Sequence, residues 1–501
     1  MSAPGLCRAA SVAAAGVALL AWGYAFVFWN PDFDEVHHAH VIWLIGQGLV
    51  PFHDFFECHL PLPWYPHVPL LWALPEAPES LYGLRAFSAT GHLLWLGLLL
   101  ATLRRVRPEL PGHWLVLAIP ALLASDLDLE YAAEFRVDGW TYVPLFAALY
   151  LFETRERWTR FRRYAVLGFG CTLAVLSMPK LYPLPPLYAL GVLVRDRRDG
   201  LALAPAVGAT ALGIAVGALG VVGAVQLAGI DPRLAFESSI LFHLEFMRGS
   251  SFGRGAAAAF FEQRVPLVFA VCGAACLLLD HAPRRRLPQP FELALLAAVA
   301  FQLATMRIGY KQYVAPCFLI LAGVVPYAGL VLRELRPRLE PAACAAALAL
   351  VLLGCAGALR QIRSQSVFPA LLVEQQLLLD LTREDDVVAV PPPFHPIFRR
   401  DALYAWTNSW EPGGYTTDRV LAAMAHPVLS PPHTQERIAA DLEARPPAVA
   451  MLTGPPFQNA TFARELARFL ERHRAEYAPL KRTFYPTFVR AEDPRRAGVS
   501  R

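Results

Sequence analysis

The chain has 501 residues, of which 55% are hydrophobic and only 17% charged, with a mean hydropathy of +0.38. Soluble globular proteins run about 45–50% apolar and about 25% charged. The excess here falls in apolar blocks of roughly 15–25 residues, the lengths a helix needs to enter or cross a hydrocarbon layer. This excludes a cytosolic enzyme, a secreted disulfide scaffold and a disordered chain, and a net charge of +4 is too small to point to nucleic acid.

The first thirty residues could pass for a signal peptide, but their apolar run leads straight into a charged cluster, the mark of a retained anchor. In chain order the apolar blocks predict helices over 8–29, 81–103, 110–126, 137–153, 164–179, 181–194, 201–228, 265–280, 290–306, 313–332 and 341–359, about eleven spans. Arginine clusters mark alternate connections: Arg104, Arg105 and Arg107; Arg155 to Arg163; Arg195, Arg197 and Arg198; Arg284 to Arg286; and Arg333, Arg336 and Arg338. The positive-inside rule places these connections in the cytoplasm. Loop 30–80 contains no Lys or Arg and belongs outside, and an odd number of spans puts the tail outside as well. Six cysteines (Cys171, Cys272, Cys276, Cys317, Cys344 and Cys355) lie in apolar blocks and read as buried small hydrophobes.

The tail, 361–501, carries 33 of its 141 residues as charges, against 53 in the 360 residues before it. Strand-like runs at 385–390 and 448–454 alternate with amphipathic stretches at 434–444 and 461–474, which predicts a small soluble α/β domain. No nucleotide fingerprint occurs in it, and Asn459-Ala-Thr461 matches a glycosylation sequon. The division is therefore a membrane domain over 1–360, with a large first outer loop at 30–80, and an extracytoplasmic domain over 361–501.

Candidate chemistry gathers on the outer side. Asp32, Asp34 and Glu35 follow the first span directly, and six of the fourteen histidines (His37, His38, His40, His53, His59 and His67) share loop 30–80 with Asp54 and Glu57. Trp43, Phe55, Phe56, Trp64, Tyr65 and Trp72 lie between them, in stretches 34–48 and 60–74 that read as helices in the membrane interface plane. Ionisable groups at the edge of a bilayer suit an enzyme acting on a lipid-borne substrate. A second acidic patch holds Asp126, Asp128, Glu130, Glu134, Arg136 and Asp138, with Asp138 opening a span and Arg136 its expected partner. Only three lysines occur, and Lys180 and Lys311 fall at outer ends of spans. With Arg307, Tyr310 and Tyr313, Lys311 could hold a phosphate or diphosphate headgroup.

Four local features carry a resemblance to the GT-C glycosyltransferases that use polyprenyl-phosphate-linked sugars, the group containing protein mannosyltransferases, lipid A aminoarabinose transferases and rhizobial core galacturonosyl transferases. These are Asp34-Glu35 after the first span, the run from Gly46 to Glu57 ending D-F-F-E, His59-Leu-Pro61-Leu-Pro-Trp64-Tyr65, and Arg136-Val-Asp138. The Y-x-x-P of Tyr313 to Pro316 fits as well, whereas His59 stands where some relatives carry lysine. The resemblance implies a polytopic helical fold and a lipid-phosphate sugar donor. It also implies attack by a hydroxyl of a lipid, glycan or protein acceptor, with inversion at the anomeric carbon. Asp34, Glu35 and Asp138 are the expected catalytic residues, Asp34 as the base. Glu57, His59, Lys180, Arg307, Tyr310, Lys311 and Tyr313 are the expected substrate contacts. No metal is obligatory, although Glu57 and His59 could hold a divalent cation such as Mg or Mn. A lipid-linked sugar flippase, an O-antigen polymerase or ligase, and a zinc hydrolase are the rival readings; the absence of HExxH weakens the last.

Overall fold

A computed structural model describes residues 3–55, 57, 59–178, 182–241, 256–284, 289–305, 311–402, 435–453, 460–481 and 483–491. Where its residues are described, every apolar block expected to be a span is helical, the one at 137–153 in two pieces. The main helices are α1 (Ala3–Phe28), α2 (Phe33–Gly46), α3 (Ser80–Val106), α4 (Gly112–Leu123), α5 (Asp126–Ala133), α6 (Val143–Thr154) and α7 (Arg160–Ser177). They continue with α8 (Leu184–Arg198), α9 (Ala204–Leu227), α10 (Arg264–Arg284), α11 (Pro290–Thr305), α12 (Lys311–Leu321), α13 (Val325–Leu335), α14 (Glu340–Gln365) and α15 (Phe368–Asp380).

Among the described residues, five helical stretches are long and apolar enough to cross a membrane: Pro4–Phe28, Ser80–Val106, Ala204–Leu227, Tyr313–Leu335 and Pro337–Gln365. At 1.5 Å per residue, α1 and α14 are each about 39 Å long. The block expected at 137–153 is broken instead. One turn over Asp138–Thr141 precedes α6, whose second residue is Pro144, and the break sets Asp138 on a turn of its own. Small residues allow the closest crossing: a Cβ on Gly168 of α7 or Gly213 of α9 would collide with the backbone of the other helix, at Thr210 and Ala165. Of the cysteines, Cys171, Cys317, Cys344 and Cys355 are buried as expected, whereas Cys272 faces out of the bundle.

The arginine clusters with described side chains gather at one end of the bundle. Arg104, Glu109, Arg333 and Glu334 border one cavity, Arg105 meets Glu156, Arg107 reaches Glu292 across α11, and Arg160 reaches Asp196. The opposite end carries loop 30–80 and the C-terminal lobe. In the lobe, β1 (Val387–Ala389), β2 (Arg400–Asp401), β3 (Val449–Met451), β4 (Tyr477–Leu480) and β5 (Thr487–Arg490) form one mixed sheet in the order β2-β1-β3-β5-β4. β1 runs parallel to β2 and β3, and β5 antiparallel to β3 and β4. Helices α16 (Gln435–Ala444) and α17 (Ala460–Arg472) pack on each other and on one face, burying Ile438, Leu442, Leu466 and Phe469. The two strand-like runs and both amphipathic stretches of the tail thus form the elements expected of them; the sequon's Asn459 lies outside the described residues.

One expectation about loop 30–80 is corrected. Stretch 34–48 is helical as α2, but it is no amphipathic helix resting on a membrane surface, because residues 35 to 44 are all buried. Val36, Ile42, Trp43 and Trp64 share a hydrophobic core with Leu81 and Leu84 of α3, Phe368 and Leu371 of α15, and Val388, Val449 and Val489 of the sheet. Loop 30–80 is the layer between bundle and lobe.

Candidate active site

Asp32 caps α2, accepting the amide of Glu35 at 2.8 Å. The cap places two further acids in the first turn, where the helix dipole favours negative charge. Around them the turn at 134–138 is fixed against α3. Ser88 Oγ accepts the Arg136 amide at 3.1 Å and donates to its carbonyl at 2.7 Å. A Cβ on Gly139 would meet the Ser88 carbonyl at 2.7 Å, so only glycine permits this approach.

Arg136 is the centre of the site. Its guanidinium donates to Asp34 Oδ2 at 3.0 Å and to Glu134 Oε2 at 3.2 Å, and also to Asp32. The guanidinium is buried, while the carboxyl groups of Asp32 and Asp34 are 25% and 26% exposed, so both have an open side. Burial alone would raise the Asp34 pKa. The positive charge of Arg136, followed by that of His59, overrides it and holds the group below its ordinary range. Asp34 is therefore a carboxylate at neutral pH, oriented and partly open.

The other two expected catalytic acids are placed differently. Glu35 is fully buried and takes a bidentate bond from Arg85, 2.6 Å to Nε and 2.7 Å to Nη2, together with the Phe135 amide at 2.9 Å. Arg85 in turn donates to the Phe26 and Trp29 carbonyls and lies 4.3 Å over the Phe368 ring. Asp138 is buried and accepts the Tyr131 hydroxyl at 3.0 Å, while the guanidinium expected to partner it is directed at Asp32, Asp34 and Glu134.

Glu57 and His59 stand with the histidines of α2. Glu57 bridges His37 Nε2 and His59 Nδ1, at 2.7 Å each, and also accepts the His59 amide at 3.0 Å. Burial raises its pKa, but the imidazoles of His37 and His59 pull it well below the usual value. Trp64 Nε1 donates to His38 Nδ1 at 3.2 Å, so His38 offers that nitrogen as an acceptor; burial and the nearby His59 and His37 push its pKa well down. Although His37 and His38 are neighbours on the helix, they converge with His59, and ring nitrogens of all three lie within 4.8 Å of one another. Three imidazoles could hold a zinc-like ion.

A third cluster joins α2 to the lobe. His40 Nδ1 donates to the Ile397 carbonyl at 2.5 Å and its Nε2 lies 3.0 Å from Asp401 Oδ2. The Ile397 amide donates to His395 Nδ1 at 3.0 Å, and His395 Nε2 is 3.5 Å from Asp401 Oδ1. Ile397 has φ +61°, a costly backbone for a β-branched residue, and the two histidines hold it from both sides.

Among the expected cationic contacts, Lys180, Arg307 and Tyr310 lie outside the described residues. Lys311 opens α12 with its side chain likewise outside them, and Tyr313 is half-buried in that helix. Reading the sequence missed Arg85, His395 and Asp401. Arg85 did leave a signal, being the one charge in the apolar run between Leu81 and Leu103. The other two are joined to loop 30–80 only by tertiary contact.

A helical bundle carrying loop 30–80 and an α/β lobe at one end is a GT-C-like fold, shared with a solved structure of that class. The chain is similar along nearly its whole length to ArnT from Cupriavidus metallidurans, whose crystal structure contains bound undecaprenyl phosphate. The identity is 14% and the TM-score 0.59, over 97% of this chain and 98% of that one. An oligosaccharyltransferase from Archaeoglobus fulgidus, crystallised with Zn and sulfate, aligns with a TM-score of 0.46 and 14% identity over 74% of this chain and 55% of its own. No family model and no curated protein matches the sequence.

Proposed function

We propose that the protein is an integral-membrane glycosyltransferase that moves a sugar from a polyprenyl-phosphate donor to a hydroxyl of a lipid, glycan or protein acceptor. The observation that carries this reading is Asp34, a half-open carboxylate held by a buried, permanently charged arginine where an apolar bundle meets a polar lobe. The GT-C fold supports it, as does the undecaprenyl phosphate bound to the neighbour of the same fold. On the sorting of arginines by loop, the N-terminus is cytoplasmic and the lobe end extracytoplasmic. Residues 1–360 form the catalytic membrane domain, and 361–501 a lobe that closes it from outside.

The acceptor oxygen attacks the anomeric carbon in line. The carbon–oxygen bond to the lipid phosphate breaks as the new bond forms, configuration inverts, and the phosphate leaves with the bonding pair. The hydroxyl proton passes to Asp34. A carboxylate weakened by Arg136 suffices, because the attacking oxygen becomes strongly acidic as its new bond forms. Arg136, Glu35 and Asp138 are positioning groups: Arg136 aims Asp34, while Glu35 with Arg85 and Asp138 with Tyr131 hold the turns that carry it. Glu57 and His59 orient the sugar. Lys180, Arg307, Tyr310, Lys311 and Tyr313 offer donors for the departing phosphate. This chemistry needs no metal. An ion held by His37, His38 and His59 would match zinc, since Mg and Mn favour oxygen ligands.

Mass spectrometry of lipids and envelope glycans from a deletion strain tests the reading. A sugar is expected to be missing at one attachment point, restored by the wild-type gene and not by Asp34→Asn. An unchanged profile contradicts it, as does flux of a labelled lipid-sugar across liposomes with no product formed.

A further inference from the structure

We propose a second ligand site at the other end of the bundle: Cys7, His113 and Cys344 bind a zinc-class divalent metal that ties together the starts of three helices. The three residues come from positions far apart in the sequence, in the first two turns of α1, α4 and α14. Their ligand atoms lie within 4.8 Å of one another. Both thiols are buried, with Cys7 0% and Cys344 1% exposed, and the His113 side chain is 12% exposed. Elsewhere the buried cysteines Cys171, Cys317 and Cys355 serve as small hydrophobes. Here two thiols meet an imidazole, and that combination is a ligand set.

The surroundings fit a metal better than a simple packing contact. Glu340 Oε1 lies 3.0 Å from His113 Nε2 and accepts Trp114 Nε1 at 3.3 Å, so a fixed carboxylate holds the imidazole. Metal-binding histidines commonly carry such a partner on the nitrogen that does not ligate. A cavity of about 400 Å³ bordered by Arg8, Ser11, His113, Arg333 and Glu340 adjoins the cluster and gives an ion a way in. Two sulfurs and one nitrogen select a borderline or soft ion over Mg or Ca, and water from the cavity can fill the fourth tetrahedral position. Two thiolates balance the charge of a divalent ion, while Arg8 and Arg333 stand near Glu340. This end carries the arginine loops that the positive-inside rule places in the cytoplasm, where thiols stay reduced.

Cobalt(II) added to the full-length, detergent-solubilised, chelator-stripped protein reports thiolate ligation through a sulfur-to-cobalt charge-transfer band. The band is expected to appear, to be displaced by zinc, to survive Cys58→Ser in the outer loop, and to vanish in Cys7→Ser and in Cys344→Ser. The proposal is overturned if wild type shows no band, if the band persists in both inner variants, or if the two thiols are recovered as a disulfide. Glu340→Gln keeps both thiolates and guards against variants that fail to fold. Its cobalt affinity should fall about 10–100-fold, and unchanged affinity would remove the carboxylate-held histidine on which the site rests.

Discussion

At the arginine-rich end of the bundle, arginines and carboxylates tie one helix to another. Arg107 lies 2.6 Å from Glu292 and 3.5 Å from Glu109, and Asp196 takes Arg160 at 2.8 Å and Arg195 at 3.9 Å. At the lobe end one guanidinium serves Asp32, Asp34 and Glu134, and one carboxylate, Glu57, serves two imidazoles. These contacts join α11 to the end of α3 and α7 to α8, and so fasten helices. Shared charges leave a surplus of carboxylate and of titratable rings that a substrate can engage. The same residue types thus stabilise at one end and, in the proposed function, prepare chemistry at the other.

Four substitutions and one titration probe that difference. The largest effect is expected at Asp34: Asp34→Asn should lower sugar transfer by about 10²–10⁴-fold, the range for a lost general base, with insertion intact by membrane fractionation. Arg136→Ala leaves three carboxylates around an empty centre. It should cost about 3–5 kcal/mol of stability as well as activity, read by thermal unfolding in detergent. Glu292→Ala strips Arg107 of its nearest carboxylate, leaving Glu109 at 3.5 Å, and should also destabilise by about 3 kcal/mol, yet leave transfer per folded molecule unchanged. Equal losses of turnover in Arg136→Ala and Glu292→Ala would erase the distinction between the ends. Smaller still, His40→Ala should loosen the lobe by about 1–3 kcal/mol, seen as faster proteolysis after residue 380.

The titration concerns buried neutral histidines. Burial lowers His395 to about 4, and does the same to His67, packed against Phe87 and Phe135. Both sit below the ordinary histidine value of about 6.5, so between pH 4 and that value the unfolded chain binds more protons than the folded one. Stability from these groups is complete above about pH 6.5 and declines as pH falls towards 4. The melting temperature should drop across that window, less steeply in His395→Gln. A flat profile would mean that neither ring is buried in its neutral form.

The helical body was legible because hydropathy in a membrane chain is written in long blocks, and the blocks folded as helices, the one at 137–153 in two pieces. The site was legible in part. Asp34, Glu57 and His59 lie in a loop without a single Lys or Arg, where acids and imidazoles stand out. That Glu35 is sealed by Arg85 while Asp34 stays half open could not be read from adjacent letters. The helix turns the two neighbours in different directions, one into the core and one partly to the surface. His40, His395 and Asp401 were illegible for another reason. Their meeting depends on how the lobe seats on α2, and no motif spans that distance. The same holds for Cys7, His113 and Cys344.

The most direct test of the account compares purified wild type with Asp34→Asn, each loaded with a polyprenyl-phosphate sugar and supplied with the acceptor that the deletion strain reveals. Release of free polyprenyl phosphate is followed alongside donor binding. The account predicts near-normal donor binding with release slowed at least about a hundredfold in the variant. Release at the wild-type rate would contradict it and remove Asp34 from the chemistry.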